Sequence, residues 1–329
     1  MIALFSQVVG EGTTEMVMDW LEHLGAEYAR VNGEGLNADD ALELRVGNGG
    51  TRLRLDAGGR EVTERTGAAW MRRWHTLTNL DDLRRGGHPA LGHAVVSHLG
   101  RELVALRGGL EDVLRDAEWL TRVREMSVNK LQVLRVAAEA GLEVPETLVT
   151  NRRAALEAFI AEQGPVISKP LGEASNFEVG GTGYVMYTVE ITPEVVAGLP
   201  ERFFPSLFQP RVEKRYELRV FCLGGRCWPM AIFSQEDPQT RGDFRRYNHA
   251  RPNRCVPYAL PAAVEAAVLE MMERLELATG SVDLIRTLDG RHVFLEVNPI
   301  GQFGMVSDPC NYYLERRVAE HLMELHDGE

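Results

Sequence analysis

The segment from Gly280 to Pro299, GSVDLIRTLDGRHVFLEVNP, constrains the fold of this chain more than any other stretch. Two apolar runs meet at Asp289-Gly290, and a two-residue Asp-Gly loop between such runs is the strongest short-range signal for a β-hairpin. With Leu288 opposite Arg291, the pairing carries Asp283 to a position directly across from Glu296. Asn298 follows on the same face, because side chains on a strand repeat every second residue. The other face takes Val282, Leu284, Val293, Leu295 and Val297, a row that belongs in a core.

Carboxylates opposite each other across a ladder repel, by roughly 0.2–1 kcal/mol even when solvated. A cation reverses the sign. Oxygen ligands without sulfur or imidazole suit Mg²⁺, with Mn²⁺ as the alternative, and Mg²⁺ completes its shell with water and substrate phosphates. The hairpin therefore predicts a metal–nucleotide platform. The competing reading is that Asp283 and Glu296 form the solvated face of an amphipathic hairpin.

At 329 residues the chain is long enough for about two domains. Its start, MIALFSQVVGEG, has no basic leader before the apolar run, and no stretch approaches ~18 apolar residues, so neither a signal peptide nor a membrane span is expected. A cytoplasmic protein is the corresponding expectation. Cys222 and Cys227 should face each other across a Gly224-Gly225 turn as packed thiols rather than a disulfide. The formal charge of -12 argues against nucleic acid as the main partner, since such binding needs phosphate-neutralising Lys and Arg.

Of the 36 basic side chains only three are lysine: Lys130, Lys169 and Lys214. Where arginine is used almost everywhere, a remaining lysine marks a place that needs a compact ammonium rather than a planar fork, unless it is a chance survivor on the surface.

Taken in order, Ile2 to Phe5, Thr13 to Leu24 and Glu27 to Val31 read as a β-α-β start without a GxGxxG turn. Ala41 to Thr66 alternates like short antiparallel strands. The arginines in and just after it, Arg52, Arg54, Arg60, Arg65, Arg72 and Arg73, read as a solvated face. Pro89 to Leu120 is helical, in one piece or broken near Gly108-Gly109. Ser127 is the expected cap of a helix that carries Lys130 near its N-terminus, where the dipole favours anions. A strand ending at Ser168 leads into Lys169 and the loop LGEASNFEVGGTG, whose backbone could close over phosphates. Gln209-Pro210-Arg211-Val212-Glu213 crosses into a second sheet, where Arg219 lies in an apolar strand and needs an anionic partner, Glu217, Asp283 or a phosphate. Ser234 to Arg254 is polar and basic between apolar elements, as substrate loops are. Pro309 is expected to start the final helix.

The order helix-Lys130, strand-Lys169, hinge 209–212, strand-Arg219, Asp283 and Glu296-x-Asn298 resembles the ATP-grasp superfamily, over roughly Ser127 to the C-terminus. YELRVFCLGGRCWPMAIFSQ, TRGDFRRY and EVNPIGQFGMVSDPCNYYLE make the chain similar in particular to the peptide-maturing ligases of microviridin and other graspetide pathways. The resemblance implies an α/β chain of three parts: a pre-ATP-grasp domain over 1–125, then ATP-grasp subdomains over 126–205 and 206–329 that clamp ATP.

The resemblance also implies roles. Lys130 and Lys169 would hold the α- and β-phosphates; Gln209, Pro210, Arg211 and Val212 would line the adenine site, and Glu213 would take the ribose. Asp283, Glu296 and Asn298 would hold Mg²⁺, while Arg219 and Arg245 would stabilise the transferred phosphoryl group. Pro210 departs from the glutamate frequent in relatives and has no N–H, and the glycine-bearing loop after Lys169 is longer than in simpler ligases. The implied reaction is ATP-dependent macrocyclisation of a ribosomal precursor peptide, joining Asp or Glu side chains to Thr or Ser (ester) or Lys (amide). The peptide's leader would dock near 172–187, its core would be rich in Thr, Glu and Asp, and the enzyme would be a homodimer. The alternatives are a ligase adding an amino acid to a protein tail and a nucleotide-binding scaffold without turnover.

Overall fold

The computed structural model describes residues 1–329 apart from 9, 38–39, 75–88, 173–175, 180–181, 247 and 329. At 37, 89–93, 96, 176–179 and 182–185 the description covers the backbone only. The chain divides into two compact units, Met1–Met126 with Gln302–Glu329, and Ser127–Gly301. The C-terminal segment thus groups with the N-terminal residues, not with 206–301 as expected.

In the first unit, strands β1 (Ile2–Ser6) and β2 (Tyr28–Asn32) flank helix α1 (Gly12–His23). Strands β3 (Ala41–Gly47), β4 (Gly50–Ala57) and β5 (Arg60–Thr63) form the antiparallel sheet anticipated from their alternation. Strands β6 (Ala68–Met71) and β7 (Glu118–Thr121) complete a sheet in the order β2-β1-β6-β7, parallel throughout. Every residue of β1 and β6 is buried, as the strands of a parallel sheet are. Helix α2 (Pro89–Val113) runs unbroken through Gly108 and Gly109, and Glu118–Leu120 lie in β7, so that helix ends sooner than expected.

Arg72 corrects the expectation of a solvated arginine face. It is buried, its Nε donating to Glu11 Oε2 at 3.1 Å and one Nη to Thr13 Oγ1 at 3.0 Å, while Arg73 Nε approaches Glu11 Oε1 at 3.2 Å. Arg52, Arg54, Arg60 and Arg65 do lie at the surface. Pro309 does not start the last helix either. It lies inside a short helix, Gly304–Cys310, and a second helix, Leu314–Asp327, begins after left-handed turns at Asn311 and Tyr313.

The second unit holds two sheets. Strands β8 (Leu148–Arg152), β9 (Val166–Lys169), β12 (Val189–Glu190) and β13 (Arg202–Pro210) form one, in the order β12-β9-β13-β8, with the hairpin β10 (Asn176–Val179) and β11 (Thr182–Val185) between β9 and β12 in sequence. Strands β14 (Lys214–Leu223), β15 (Arg226–Phe233), β16 (Arg254–Pro257), β17 (Thr279–Thr287) and β18 (His292–Asn298) form the other, in the order β16-β15-β14-β17-β18. Helix α3 (Lys130–Glu139) sends Val133, Leu134, Val136 and Ala137 into the core of the five-stranded sheet, together with Val268, Met271 and Met272 of the helix over Ala262–Arg274. The expected boundary at 205 falls inside β13, and α3, which precedes it, packs against the five-stranded sheet that follows it. Asn129, not Ser127, caps α3, its Oδ1 accepting from Leu131 N and Gln132 N at 3.0 and 3.2 Å. Among the described residues no helix is long and apolar enough to cross a membrane.

The β17–β18 hairpin places Asp283 opposite Glu296, as predicted, but by a different path. The loop has three residues, Leu288–Gly290, with Gly290 left-handed at φ 96° and Thr287 N donating to Arg291 O at 3.1 Å. That shift pairs Leu284 with Phe294, and Leu295 then stands unpaired as a bulge before Glu296 meets Asp283. The core face accordingly holds Val282, Leu284, Phe294 and Val297, whereas Leu295 lines a cavity and Val293 pairs with Ile285. At the far end the chain turns so tightly that a Cβ on Gly301 would stand 2.3 Å from Ser281 Oγ.

Candidate functional site

Three adjacent strands bring three charges into one row: Arg219 on β14 lies opposite Asp283 on β17, which lies opposite Glu296 on β18. Arg219 Nη1 donates to both Asp283 oxygens, at 2.9 and 2.8 Å. Among the described residues its buried Nε has no hydrogen-bond partner. The pair is largely withdrawn from water, with side chains 10% and 13% exposed. Burial pushes the Asp283 carboxyl above its ordinary range, Arg219 opposes that shift, and Glu296 adds to it. A carboxylate in that state gains from a second cation.

Two lysines approach the row from other elements. Lys130, in the first turn of α3, donates to the Pro170 carbonyl at 2.9 Å and comes within 3.7 Å of Glu296 Oε2. Lys169, at the end of β9, donates at 3.1 Å to the carbonyl of Leu295, the residue that the bulge leaves unpaired. Burial pulls the Lys169 ammonium below its ordinary range, while Glu296 and Asp283 favour its charge and Lys130 and Arg245 oppose it. The expected carboxylates and ammonium groups are therefore within electrostatic reach of one another.

Lys169, Asp283 and Glu296 line a cavity of about 660 Å³, together with Gln209, Pro210, Arg211, Val212, Glu213 and Arg245. The hinge is more restricted than its sequence implied. Gln209 is buried and donates through Nε2 to Thr147 Oγ1 at 2.8 Å, and the Arg211 N–H is taken by the Pro165 carbonyl at 2.7 Å. Pro210 has no N–H. Among the described residues the N–H groups of Val212 and Glu213 have no partner, so the hinge keeps free donors only at its far end. Arg245 is held by Asp243 through Nε and Nη2, at 2.9 and 2.7 Å, and these bonds keep its guanidinium firmly charged.

Two of the expected residues sit less centrally. Asn298 continues the Glu296 face, but its Oδ1 accepts from Ile300 N at 3.1 Å and its side chain is not part of the cavity wall. Lys130 reaches the row through Glu296 and likewise does not line the cavity. The glycine-bearing loop falls partly on 173–175 and 180–181, outside the described residues, as does much of the region expected to dock a leader. Sequence reasoning missed Asp243, which aims Arg245, left Lys214 without a role, and weighed Glu217 only as a partner for Arg219, whereas it pairs with Lys214 and both line the cavity. The scarcity of lysine was the signal for Lys214.

The donor chemistry fits a hard divalent cation. Among the described residues no cluster of three or more His, Cys, Asp and Glu side chains forms a metal site. Asp283 and Glu296 supply two carboxylates, so water and phosphate oxygens would complete the shell, as is usual for Mg²⁺.

No family model and no curated protein sequence matches the chain. Solved structures do. The chain is 21% identical to an ATP-grasp ligase of Chryseobacterium gregarium associated with ribosomal peptide modification and solved with ADP and a leader and core peptide, with TM-score 0.85 over 99% of this chain and 96% of that one. It is 24% identical to the macrocyclase MdnC of Microcystis aeruginosa bound to the precursor peptide MdnA, with TM-score 0.83 over 98% and 100% of the two chains. The ATP-grasp ligase PsnB, solved with a phosphomimetic variant of a minimal precursor, Mg and ADP, is 17% identical, with TM-score 0.75 over 99% and 98%. The chain has the ATP-grasp fold of these ligases.

Proposed function

We propose that this protein is an ADP-forming peptide ligase, which phosphorylates Asp or Glu side chains of a ribosomal precursor peptide and closes them onto a Thr, Ser or Lys side chain as rings. The observation that carries this reading is the convergence of Lys169, Arg245, Asp283 and Glu296 on one cavity, with Arg219 behind Asp283.

A carboxylate is a poor acylating agent. Transfer of the γ-phosphoryl group of ATP to one of its oxygens gives an acyl phosphate and ADP. A side-chain hydroxyl or amine then attacks the acyl carbon, loses its proton and expels inorganic phosphate. Lys130 and Lys169 hold the α- and β-phosphates, the Val212 N–H and the carbonyls of the hinge take the base, and Glu213 takes the ribose. Mg²⁺, held by Asp283 and Glu296 and joined by Asn298 from the same strand as Glu296, would supply charge neutralisation along the triphosphate. Arg219, buried beside Asp283, and Arg245, held charged by Asp243, stabilise the charge on the transferred group. Closing the cavity excludes water, so that the acyl phosphate survives until the peptide nucleophile attacks.

The test is incubation of the purified protein with ATP, Mg²⁺ and a short Thr- and Glu-rich peptide encoded beside its gene. The expected product has lost one water per ring. A gain in mass would identify an amino-acid ligase, and an unchanged peptide with no ADP formed would identify a scaffold. The family likeness further implies a cytoplasmic homodimer, to be checked by sedimentation.

A further inference from the structure

Lys214 is the one lysine that the proposed nucleotide site does not use, and it is not stranded at the surface. Its side chain is 12% exposed, lines the cavity and is paired with Glu217, itself 7% exposed. The same Nζ donates to the carbonyl of Gly242 at 3.2 Å. The second Glu217 oxygen accepts from Ser234 Oγ. Ser234 opens the segment that ends in Asp243–Arg245, and Gly242 immediately precedes Asp243. Between the two anchors the segment is bound to itself: Gln235 Nε2 donates to the Arg241 carbonyl at 3.1 Å, and Thr240 Oγ1 to the Ser234 carbonyl at 2.9 Å.

We propose that Lys214 and Glu217 are positioning residues that grip both ends of the 234–242 segment and so set Arg245 against the cavity, where it meets the transferred phosphoryl group and the acyl phosphate that results. Glu217 takes hold of the segment where it leaves β15, and Lys214 takes hold where it arrives at Asp243. An ammonium suits this role because its donors diverge, one to a carboxylate on its own strand and one to a carbonyl on the segment, whereas a guanidinium presents its donors in one plane. The pair lies beside the hinge without belonging to it, so its loss should affect the peptide steps and leave nucleotide affinity largely intact.

This inference rests on the proposed peptide-ligase activity for its kinetic test but not for its structural one. Lys214→Met and Ser234→Ala are compared with the unaltered protein by native tryptic cleavage after Arg241, Arg245 and Arg246, by binding of Mg·ADP, and by KM and kcat for peptide and ATP. Cleavage should quicken about tenfold in Lys214→Met and less in Ser234→Ala. Mg·ADP affinity and KM for ATP should stay within about threefold, while kcat with peptide falls about a hundredfold because a guanidinium displaced by an ångström is misaligned. Unchanged cleavage in both variants, or loss of Mg·ADP binding in step with turnover, would overturn the assignment. If the unaltered protein makes no cyclised peptide, the ligase reading fails, and the cleavage comparison still decides whether the pair holds the segment.

Discussion

The two units each bury an arginine against a carboxylate, and the two pairs are built differently. In the first unit Glu11 meets two guanidinium groups: Arg72 and Arg73 approach one oxygen each, and Thr14 Oγ1 donates to Oε2 at 2.8 Å. Arg72 also stands over the rings of Trp70 and Phe303. Burial still pulls the Arg72 guanidinium down to about 10, so desolvation outweighs the attraction of Glu11. In the second unit one nitrogen of Arg219 straddles both Asp283 oxygens, Nε has no partner among the described residues, and the carboxylate opens onto a cavity lined by other charges. The first pair is a clamp in which one carboxylate holds two guanidinium groups. The second faces a cavity, and a buried carboxylate of raised pKa among several cations is the arrangement expected of a site for a charged ligand.

The largest effect should come from breaking the clamp. Glu11→Ala strands two guanidinium groups and should destabilise the first unit by about 3–5 kcal/mol, read by denaturant unfolding through the fluorescence of Trp70 and Trp74. Mg·ADP affinity of the folded fraction should not change; a loss would mean that the two pairs are not separable. Arg219→Met should do the opposite, lowering turnover by about 10²–10³ while costing less stability than Glu11→Ala, as measured by ADP release and by denaturant midpoint. Equal stability losses in the two variants would reduce Arg219 to a second clamp.

Acidity should sharpen the contrast. A raised Asp283 pKa means that the folded chain binds that proton more tightly than the unfolded chain. Its contribution to stability is present at low pH and lost as pH rises through the folded value. A cation must compete with the proton, so the gain in thermal midpoint from Mg·ADP should shrink as pH falls from about 7.5 to about 5.5, with Asp283→Asn as the flat control. The smallest effect expected is that of Asn129→Ala, which removes the α3 cap next to Lys130. It should cost about 1 kcal/mol and weaken Mg·ADP binding only slightly; an unchanged unfolding midpoint would show that packing, not the cap, fixes Lys130.

Local chemistry made much of the site legible in advance. The Asp-Gly turn announced the hairpin, the scarcity of lysine singled out Lys130 and Lys169, and an arginine within an apolar strand required an anion nearby. The facing of Asp283 and Glu296 came out right only because two departures cancel, a loop one residue longer and a bulge at Leu295. The bulge was not readable, since LEV in isolation has no preference for pairing two residues against one. It nevertheless has a consequence, because the carbonyl it frees is the one that receives Lys169.

What the sequence determined by itself is whatever depends on neighbours along the chain: strand and helix periods, the turn, and the residue types able to bind phosphate and a hard cation. Tertiary structure decided what depends on distant partners. It chose Asp283 over Glu217 for Arg219, drew the guanidinium of Arg72 inward onto Glu11 across sixty residues of chain, and took the Arg211 N–H out of the hinge's donors. Burial is the physical reason. A charge removed from water must find its complement wherever the fold brings one, and that pairing is set by packing rather than by order along the chain.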